Sequence, residues 1–409
     1  MAALDGMRVL DLTQYEAGTT CTQYLAWFGA DVVKVEPPGR GDPGRGTEGG
    51  EHDSLYFLSF NHNKRSVAID LRSNAGRELF LQLLPRFDVV VENFTLGTME
   101  KLGLGYDTLR QVHPPLIYAT IKGYGTHGPY AGFKTFDWVA QAAGGAFSVT
   151  GDPDGPPMKP GATVGDTGSG MHACMGILAA YIQRQRTGQG QMVEIAMQET
   201  ITNFMRQQLS LRQRRPGPVP RRGNKLGIPP TDLYPCAGGG PNDWAFIMVV
   251  TDRMWDSLTI AIGRPDLNHE PRFENIRARI AHGDELYGEI AKWTSQRPKF
   301  EVMETLGAAG VPCSAAYDSD DIFRDKHLQA RNQIRTIEHP TYGPVEMLAP
   351  PVHLSGSEVD MVRAPLLGEH TAEVLSAELG LDEAAIDELR KAGVVGMWES
   401  PTASPAAGV

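Results

Sequence analysis

Residues 7–36 read M-R-V-L-D-L-T-Q-Y-E-A-G-T-T-C-T-Q-Y-L-A-W-F-G-A-D-V-V-K-V-E. The stretch begins with a short apolar strand, continues with a helix-like segment over residues 17–28, and ends with a second strand, D-V-V-K-V-E. The same alternation returns in S-V-A-I-D-L, A-G-R-E-L-F-L-Q-L-L, D-V-V-V-E-N and L-I-Y-A-T-I-K. Strands that alternate with helices predict an α/β fold. Its mostly parallel sheet carries helices on both faces and meets ligands at the carboxyl ends of the strands.

Length and charge restrict the class of protein. The chain has 409 residues, which predicts two or three domains. Its net charge of -11 argues against a nucleic-acid partner, because nucleic-acid binders carry a basic face. The four cysteines are far apart and show neither a metal-binding spacing nor a disulfide framework. Residues 1–10 lack the charged start and apolar core that are typical of a targeting segment, and no apolar run approaches the length needed to span a bilayer. We therefore expect a cytoplasmic protein with no metal site and no membrane association.

One acid, Asp166, lies among glycines in G-A-T-V-G-D-T-G-S-G, residues 161–170, just before a helix-like segment that Gly188 ends. A helix N-terminus favours an anion, so we expect Asp166 to be ionised near neutral pH. Asp166 can be a simple N-cap. Alternatively, Gly165, Gly168 and Gly170 leave room for another molecule to approach its carboxylate, which suits covalent chemistry at an acyl carbon. The residues alone leave both interpretations open.

The loop between the first strand and the first helix also invites a nucleotide-binding interpretation. It reads T-Q-Y-E-A-G-T-T and contains only Gly18, where the dinucleotide fingerprint needs three glycines. A dinucleotide-dependent oxidoreductase therefore fits the alternating fold but lacks its motif.

The chain as a whole resembles the class III CoA-transferases of the CaiB/BaiF type, the family of formyl-CoA transferase. The resemblance runs in order to residue 395 through L-D-G-M-R-V-L-D-L-T, L-A-W-F-G-A-D-V-V-K-V-E-P-P-G-R-G-D, F-N-H-N-K-R-S-V-A-I-D-L, V-V-E-N-F, G-D-T-G-S-G-M-H, T-G-Q-G-Q-M-V-E-I-A-M and A-P-L-L-G-E-H-T. Each motif is modest alone, and together they are specific.

The resemblance implies an interlocked homodimer in which each chain has a Rossmann-like large domain, built from both chain ends, and a smaller α+β domain. A composition shift at residues 214–230, rich in Pro and Arg, marks the boundary. The predicted division is 1–210 for the N-terminal part of the large CoA-binding domain, 211–230 for a linker or mobile loop, 231–330 for the small domain, 331–395 for the return to the large domain, and 396–409 for a flexible tail.

The resemblance also implies a reaction. Asp166 matches the catalytic aspartate, which attacks the thioester of an acyl-CoA to give a mixed anhydride and CoA thiolate. The thiolate then forms an aspartyl-CoA thioester, from which a small carboxylic acid takes over CoA. CoA is thus a substrate, and no cofactor is permanently bound. Backbone N–H groups at the helix start are expected to stabilise the oxyanions that form.

The family pattern supplies the remaining site residues by position. The substrate-binding positions are Glu16, Phe136, Asp137 and Lys225, and the CoA-binding positions are Ala17, Asn63, Lys64, Arg65, Asn93, Phe94, Lys101 and Lys134. Three departures concern the substrate: Glu16 replaces a glutamine, Phe136 replaces a tyrosine, and the glycine loop carries Lys225. They weigh against formyl and oxalate as substrates. Because Lys225 can pair with a second carboxylate, they favour a dicarboxylate such as succinate as one partner.

Two related functions share this pattern. An acyl-CoA racemase or epimerase of the same superfamily pairs its aspartate with a histidine directly before an acid, whereas here Phe136 precedes Asp137. A non-catalytic CoA-binding subunit of a hetero-oligomeric transferase needs no nucleophile, so the intact Asp166 argues against it.

Overall fold

The computed structural model describes residues 1–49 and 53–398. The predicted tail, 396–409, therefore lies outside the described residues from 399 onward. The strands are β1 Arg8–Asp11, β2 Asp31–Glu36, β3 Lys64–Ile69, β4 Val89–Glu92, β5 Ile117–Lys122, β6 Met192–Ala196, β7 Asp232–Pro235, β8 Trp244–Ile247, β9 Cys313–Ala315, β10 Ile334–His339, β11 Gly343–Leu348 and β12 Val395–Gly396.

Helices fill the connections between these strands. They are α1 Ala17–Trp27, α2 Leu55–Phe60, α3 Asn74–Leu83, α4 Thr98–Lys101, α5 Tyr106–Val112, α6 Asp137–Ala143, α7 Ala146–Val149, α8 Val164–Thr187, α9 Met197–Phe204, α10 Arg206–Arg212, α11 Asp252–Ala261, α12 Ile276–Ala281, α13 Gly283–Thr294, α14 Lys299–Ala308, α15 Ser319–Arg324, α16 Lys326–Ala330, α17 Thr371–Leu379 and α18 Glu383–Lys391.

The chain divides into two units. The first comprises Met1–Phe147, Lys159–Gly217 and Gln333–Val409, and the second comprises Ser148–Met158 and Pro218–Asn332. The sequence assigned residues 148–158 to the large domain, whereas here they group with the second unit.

A seven-stranded sheet forms the centre of the first unit, in the order β12-β3-β2-β1-β4-β5-β6. All neighbouring pairs are parallel except β12 with β3. Both chain ends thus contribute to one sheet, and Gly396, which the sequence placed in the tail, pairs with Ala68. The mostly parallel α/β architecture predicted from the alternating segments is confirmed. Its strand order reverses beside β1, where doubly wound sheets bind their ligands.

Successive residues of a strand face two different apolar layers, one on each side of the sheet. Val9 and Val32 face the layer formed with α1 and α8, whereas Leu10 and Val33 face the layer formed with α3, α17 and α18. This follows from the two-residue period of a strand, and a parallel sheet covered on both faces needs apolar residues on both. Complete burial of each such side chain contributes about 1.5–3 kcal/mol.

Buried charges fix the loop that follows β1. The ammonium group of Lys34, which is 0% exposed, donates to the Thr13 carbonyl at 2.7 Å and lies 2.8 Å from Asp42. Asp42 in turn accepts the N–H of Tyr15 at 3.1 Å. Tyr15 has a φ of 59°, a left-handed conformation that non-glycine residues rarely adopt. The loop that carries Glu16 is therefore held in one conformation by its neighbours.

The second unit has its own small sheet. It is antiparallel, with the order β7-β8-β9, and α11, α13 and α14 cover it with an apolar core that includes Trp255, Leu258, Leu286 and Val302. Separate cores are expected for units that fold as distinct compact bodies.

Candidate active site

A cleft of about 410 Å³ opens at the carboxyl ends of the parallel strands of the first unit. Its walls come from the loops after β1, β4 and β5 and from the start of α8, and this volume lies in the range of small-molecule sites. Of the residues singled out by sequence, those that line the cleft are Glu16, Ala17, Asn93, Phe94, Lys134, Phe136 and Asp166.

Asp166 is the third residue of α8, in the first turn of the helix. The helix start is capped from another element: Asp137, the first residue of α6, accepts the N–H of Gly165 at 2.7 Å and that of Asp166 at 3.0 Å through Oδ1. Asp137 is buried, and its other oxygen accepts the amide of Gln141 at 2.6 Å. The side chain of Asp166 is therefore not needed as a cap. Two of the N–H groups at the helix start, those of Gly165 and Asp166, already have an acceptor and are not free to stabilise an oxyanion.

The glycines around Asp166 serve the fold itself. A Cβ atom on Gly165 would lie 2.8 Å from Asp137 Oδ1, one on Gly168 would lie 2.5 Å from the Phe204 ring, and one on Gly170 would lie 2.5 Å from a backbone oxygen of α1. The expectation that these glycines leave room for another molecule is wrong, because the chain's own atoms fill that space. They allow α8 to approach α1, α6 and α9 closely.

The expectation that Asp166 is ionised near neutral pH is also wrong. Burial, followed by the charges of Glu16 and Asp137, raises the pKa of Asp166 to about 8. Removal from water and nearby like charges both disfavour the carboxylate. These two effects outweigh the helix N-terminus, whose dipole favours an anion by about 0.3–1 kcal/mol at exposed sites.

Glu16 comes directly before α1 and is only 3% exposed. Its Oε1 atom accepts the hydroxyl of Thr167 at 2.8 Å and that of Thr163, which lie on either side of Asp166 in the sequence. Burial raises the pKa of Glu16, the two threonine hydroxyls oppose this rise, and the charge of Asp137 adds to it. Three carboxyl groups, those of Glu16, Asp137 and Asp166, therefore meet at the start of α8.

Aromatic and basic side chains form the mouth of the cleft. Phe136 is 64% exposed and meets Tyr15 edge to face, with ring centres 6.1 Å apart. Lys134 is exposed, whereas Ala17 is buried at the start of α1. These side chains leave an apolar, accessible rim with one cation.

Asn93 and Phe94 follow β4. The side chain of Asn93 exchanges two hydrogen bonds with the backbone of Gln14, each of 2.8 Å, and so connects the loops after β1 and β4. The Phe94 carbonyl accepts a hydrogen bond of 2.6 Å from Lys122, and Phe94 lines both this cleft and a neighbouring one.

The neighbouring cleft, of about 510 Å³, lies at the carboxyl ends of β2 and β3. The two clefts share Gln14, Phe94 and Thr98. Arg40 and Arg72, both exposed, line its outer part. Together the clefts make a trough that extends from Asp166 to Arg40 and Arg72.

Four predicted CoA-binding residues line neither cleft. Lys64 is buried against Asp11 at 3.0 Å, and burial lowers its pKa to about 8. The side chain of Asn63 bonds the backbone of residues 360 and 362. Arg65 pairs with Asp31 and Glu373, and Lys101 is exposed at the end of α4. These partners give Asn63, Lys64 and Arg65 structural roles, while contact with CoA stays a prediction.

Lys225, in the predicted glycine loop, belongs to the second unit. Its ammonium group lies 3.2 Å from Asp284, and both side chains are largely exposed. Exposed ion pairs contribute about 0–1 kcal/mol, so Lys225 can exchange this partner for another carboxylate.

The sequence analysis missed Tyr56 and the two threonines. Burial and the charges of Glu16 and Asp166 raise the pKa of Tyr56, which shows that its phenol lies near both carboxyl groups. Tyr56 lies in α2, far from Asp166 in sequence and in no recognisable motif. Thr163 and Thr167 flank the aspartate, and no local pattern indicates that both hydroxyls turn to Glu16.

Residues 1–49 and 53–398, the part of the chain that the structure describes, contain neither a metal-binding cluster nor a helix able to span a membrane. Within these ranges, no three His, Cys, Asp or Glu side chains are grouped so that they could hold a metal ion. Within them, too, every helix is too short or too polar to traverse a membrane.

Comparison with known proteins identifies the family. The family model for CoA-transferase family III matches residues 4–371. The formyl-CoA:oxalate CoA-transferase of Streptomyces coelicolor is 42% identical, over 96% of this chain and 99% of the relative. That of Bradyrhizobium diazoefficiens is 39% identical, over 96% and 97%. A CaiB/BaiF family protein from Brucella suis, of known crystal structure, superimposes with a TM-score of 0.83 at 31% identity, over 92% of this chain and 99% of that one.

Motifs, fold and comparisons agree over most of the chain. The resemblance drawn from the sequence is thereby confirmed, as is the predicted α/β fold with its large parallel sheet. The chain belongs to CoA-transferase family III, the CaiB/BaiF type, and is a CoA-transferase.

Proposed function

We propose that the protein moves CoA from an acyl-CoA to a carboxylic acid through covalent intermediates on Asp166. The observation that carries this proposal is the position of Asp166. Its backbone is fixed by Asp137 at 3.0 Å, while its side chain lines a cleft wide enough for a thioester. A nucleophile held in one place loses little entropy when its substrate binds, which favours attack.

In the proposed reaction, the Asp166 carboxylate attacks the thioester carbon, the C–S bond breaks, and the electron pair leaves on CoA sulfur. The thiolate then attacks the aspartyl carbonyl and releases the acyl group as a carboxylate. The acceptor carboxylate attacks this aspartyl thioester, which forms a second anhydride and releases CoA thiolate. The thiolate then attacks the acceptor carbonyl of this anhydride, so that the acceptor leaves as its CoA ester and the Asp166 carboxylate is restored. Each step is an acyl transfer of modest difficulty, which is the usual advantage of covalent catalysis.

The trough next to Asp166 supports a CoA-binding path. Pantetheine would extend from the cleft past Phe94, and Arg40 and Arg72 would meet the phosphates in the neighbouring cleft. Guanidinium groups bind phosphates through paired, charge-assisted hydrogen bonds. Lys134 supplies a further cation at the mouth of the first cleft.

For the acid partner, we propose a dicarboxylate such as succinate. Lys225 holds only an exposed ion pair with Asp284, so it is available for a second carboxylate. The relatives are named formyl-CoA:oxalate CoA-transferases, so formyl-CoA and oxalate, itself a dicarboxylate, are the reference pair against which succinate is compared.

We further propose that the protein is a homodimer. Met171, Met175 and Ile182 lie exposed on α8, and Phe204 and Leu209 are exposed on the helices that follow. Large exposed apolar patches mark surfaces that bind other proteins. Light scattering in solution tests this proposal, and a mass equal to one chain would contradict it.

The function is tested by a screen of acyl-CoA donors against carboxylic acids, with mass detection of the new CoA esters. Formyl-CoA with oxalate and succinyl-CoA with monocarboxylates are included. The wild-type protein is expected to form at least one new ester, and Asp166→Ala is expected to lose this activity while still binding CoA. Full activity of Asp166→Ala would refute the mechanism.

The same reactions in D₂O distinguish a racemase or epimerase. That alternative predicts deuterium at the α-carbon of the acyl group without exchange of CoA. A protein that binds CoA but gives neither product would be a non-catalytic subunit.

A further inference from the structure

The hydrogen bonds of the Glu16 side chain connect it to the segment that carries Asp166. It is buried, and both hydrogen bonds to its side chain reach one atom, Oε1. The donors, Thr163 and Thr167, belong to the segment that carries Asp166. Glu16 is thereby fixed to the same helix start as the nucleophile.

The bonding leaves the other oxygen of Glu16 for a ligand. Two hydroxyl donors occupy the lone pairs of Oε1, so a proton on Glu16 must lie on Oε2. Within residues 1–49 and 53–398, no hydrogen bond reaches Oε2, and Glu16 lines the cleft beside Asp166. A proton on Oε2 can therefore be donated to a bound substrate.

The groups that face Glu16 are acidic. They are Asp166 in the first turn of α8, Asp137 at the start of α6 and the phenol of Tyr56 on α2. Asp137 is committed as an acceptor of two backbone N–H groups and one amide. Buried carboxyl groups without a nearby cation share protons instead of both ionising, so one proton belongs to Glu16 and Asp166 together.

We propose that Glu16 is a second catalytic residue. Its Oε2 atom takes the proton of Asp166, and the resulting Oε2–H group donates a hydrogen bond to the thioester oxygen during attack. The inference rests on the function proposed above. Glu16 would also supply a hydrogen-bond donor to the oxyanion, a role that the N–H groups of Gly165 and Asp166 cannot fill because they are bound to Asp137.

The proton balance closes over the reaction. Before attack, Asp166 is an acid and Glu16 a carboxylate; transfer of the proton makes Asp166 a carboxylate and Glu16 an acid. The Asp166 oxygen then bonds to the acyl carbon, and the electron pair of the C–S bond leaves with CoA sulfur. Oε2–H stabilises the oxyanion at each acyl transfer. When the acceptor's CoA ester departs, Asp166 regains its carboxylate and Glu16 returns the proton.

The active form of the pair carries one proton, which gives a pH dependence. Because the pKa of Asp166 is raised to about 8, the wild-type rate is expected to fall as pH rises beyond that value and the pair loses its proton. In Glu16→Gln, the amide donates to the thioester oxygen at every pH, and one charge that raises the Asp166 pKa is gone. The rate of this variant is expected to rise as Asp166 ionises, at a lower pH than in the wild type, and then to stay constant as the pH rises further.

The experiment compares kcat profiles from pH 5 to pH 10, a range of about five units around the Asp166 pKa, for wild type, Glu16→Gln and Glu16→Ala. The substrates are the donor and acid found in the screen. Glu16→Ala has no donor and is expected to lose about 10²-fold in kcat. Glu388→Gln, on the exposed face of α18, is the matched control and keeps the wild-type profile.

A second readout does not depend on activity. Water-soluble carbodiimide modifies protonated carboxyl groups, and peptide mass spectrometry follows labelling at Asp166. Labelling is expected to decline around pH 8 in the wild type and at lower pH in Glu16→Gln. Two results would overturn the role of Glu16. One is a Glu16→Gln kcat that falls at high pH as the wild-type kcat does, and the other is a Glu16→Ala kcat within about threefold of the wild-type value. Absence of CoA transfer by the wild type would overturn the proposed function instead.

Discussion

The cap that Asp137 provides for α8 should be measurable by its removal. In Asp137→Ala, the N–H groups of Gly165 and Asp166 lose acceptors at 2.7 and 3.0 Å, and Gln141 loses one at 2.6 Å. Asp137→Asn keeps a carbonyl oxygen at the same place but removes the charge. It should therefore preserve most of the cap.

The magnitude follows from these contacts. Loss of a helix-capping side chain costs about 0.5–2 kcal/mol, and the acceptor here is buried and charged. We expect Asp137→Ala to lower the free energy of opening of the first turn of α8 by about 2 kcal/mol, which is about a 30-fold change in the opening equilibrium. Asp137→Asn should lose less than half of that free energy.

Hydrogen exchange with peptide mass spectrometry measures this local opening. The peptide that covers the start of α8 should exchange about 30-fold faster in Asp137→Ala, while a peptide from α18 should be unchanged. Unaltered protection at the start of α8 would refute the claim that Asp137 caps this helix. Equal exchange in the Asn and Ala variants would refute the importance of its oxygen.

Three further perturbations test other parts of the structure. Gly170→Ala places a Cβ 2.5 Å from a backbone oxygen of α1 and should lower stability to denaturant by about 1–3 kcal/mol, whereas Gly288→Ala, with open space around it, should be neutral or stabilising. Arg45→Ala leaves Glu36 buried and unpaired and should cost about 3–5 kcal/mol. Because Arg45 holds the pKa of Glu36 at about 2 against burial, and the usual value is 4.5, the pair stabilises fully above pH 4.5 and loses its effect toward pH 2; the melting-temperature gap between Arg45→Ala and wild type should narrow accordingly. Lys134→Ala should raise the KM for the CoA ester about tenfold with little change in kcat, and an unchanged KM would exclude it from CoA binding.

Much of the sheet could be predicted, because the apolar residues that mark each strand are consecutive in the sequence. The runs around Val33, Val90 and Ile117 are apolar at successive positions, as strands covered on both faces must be. The pairing of β12 with β3 could not be predicted from local pattern, because two residues near position 395 carry no periodicity. Only the family resemblance indicated that both chain ends share one domain.

Seven of the predicted site residues line one cleft, but their interactions could not be predicted. The neighbouring glycines singled out Asp166 in the sequence, but the space beside these glycines is filled by the chain's own side chains and backbone. Its cap, Asp137, lies 29 residues away in sequence, and burial reverses the charge state that a helix start alone favours. Lys64 could not be placed in the core by sequence, since its partner Asp11 lies on another strand. Such outcomes depend on tertiary contacts that no short motif encodes.

The most direct test of the central claim is to trap the intermediate on Asp166. The protein is incubated with an acyl-CoA donor in hydroxylamine, digested, and mapped by mass spectrometry, with Asp166→Ala and a sample without donor as controls. The proposed mechanism predicts a hydroxamate at Asp166 that depends on the donor, because both the anhydride and the aspartyl-CoA thioester react with hydroxylamine. Steady transfer of CoA with Asp166 unmodified under these conditions would contradict it.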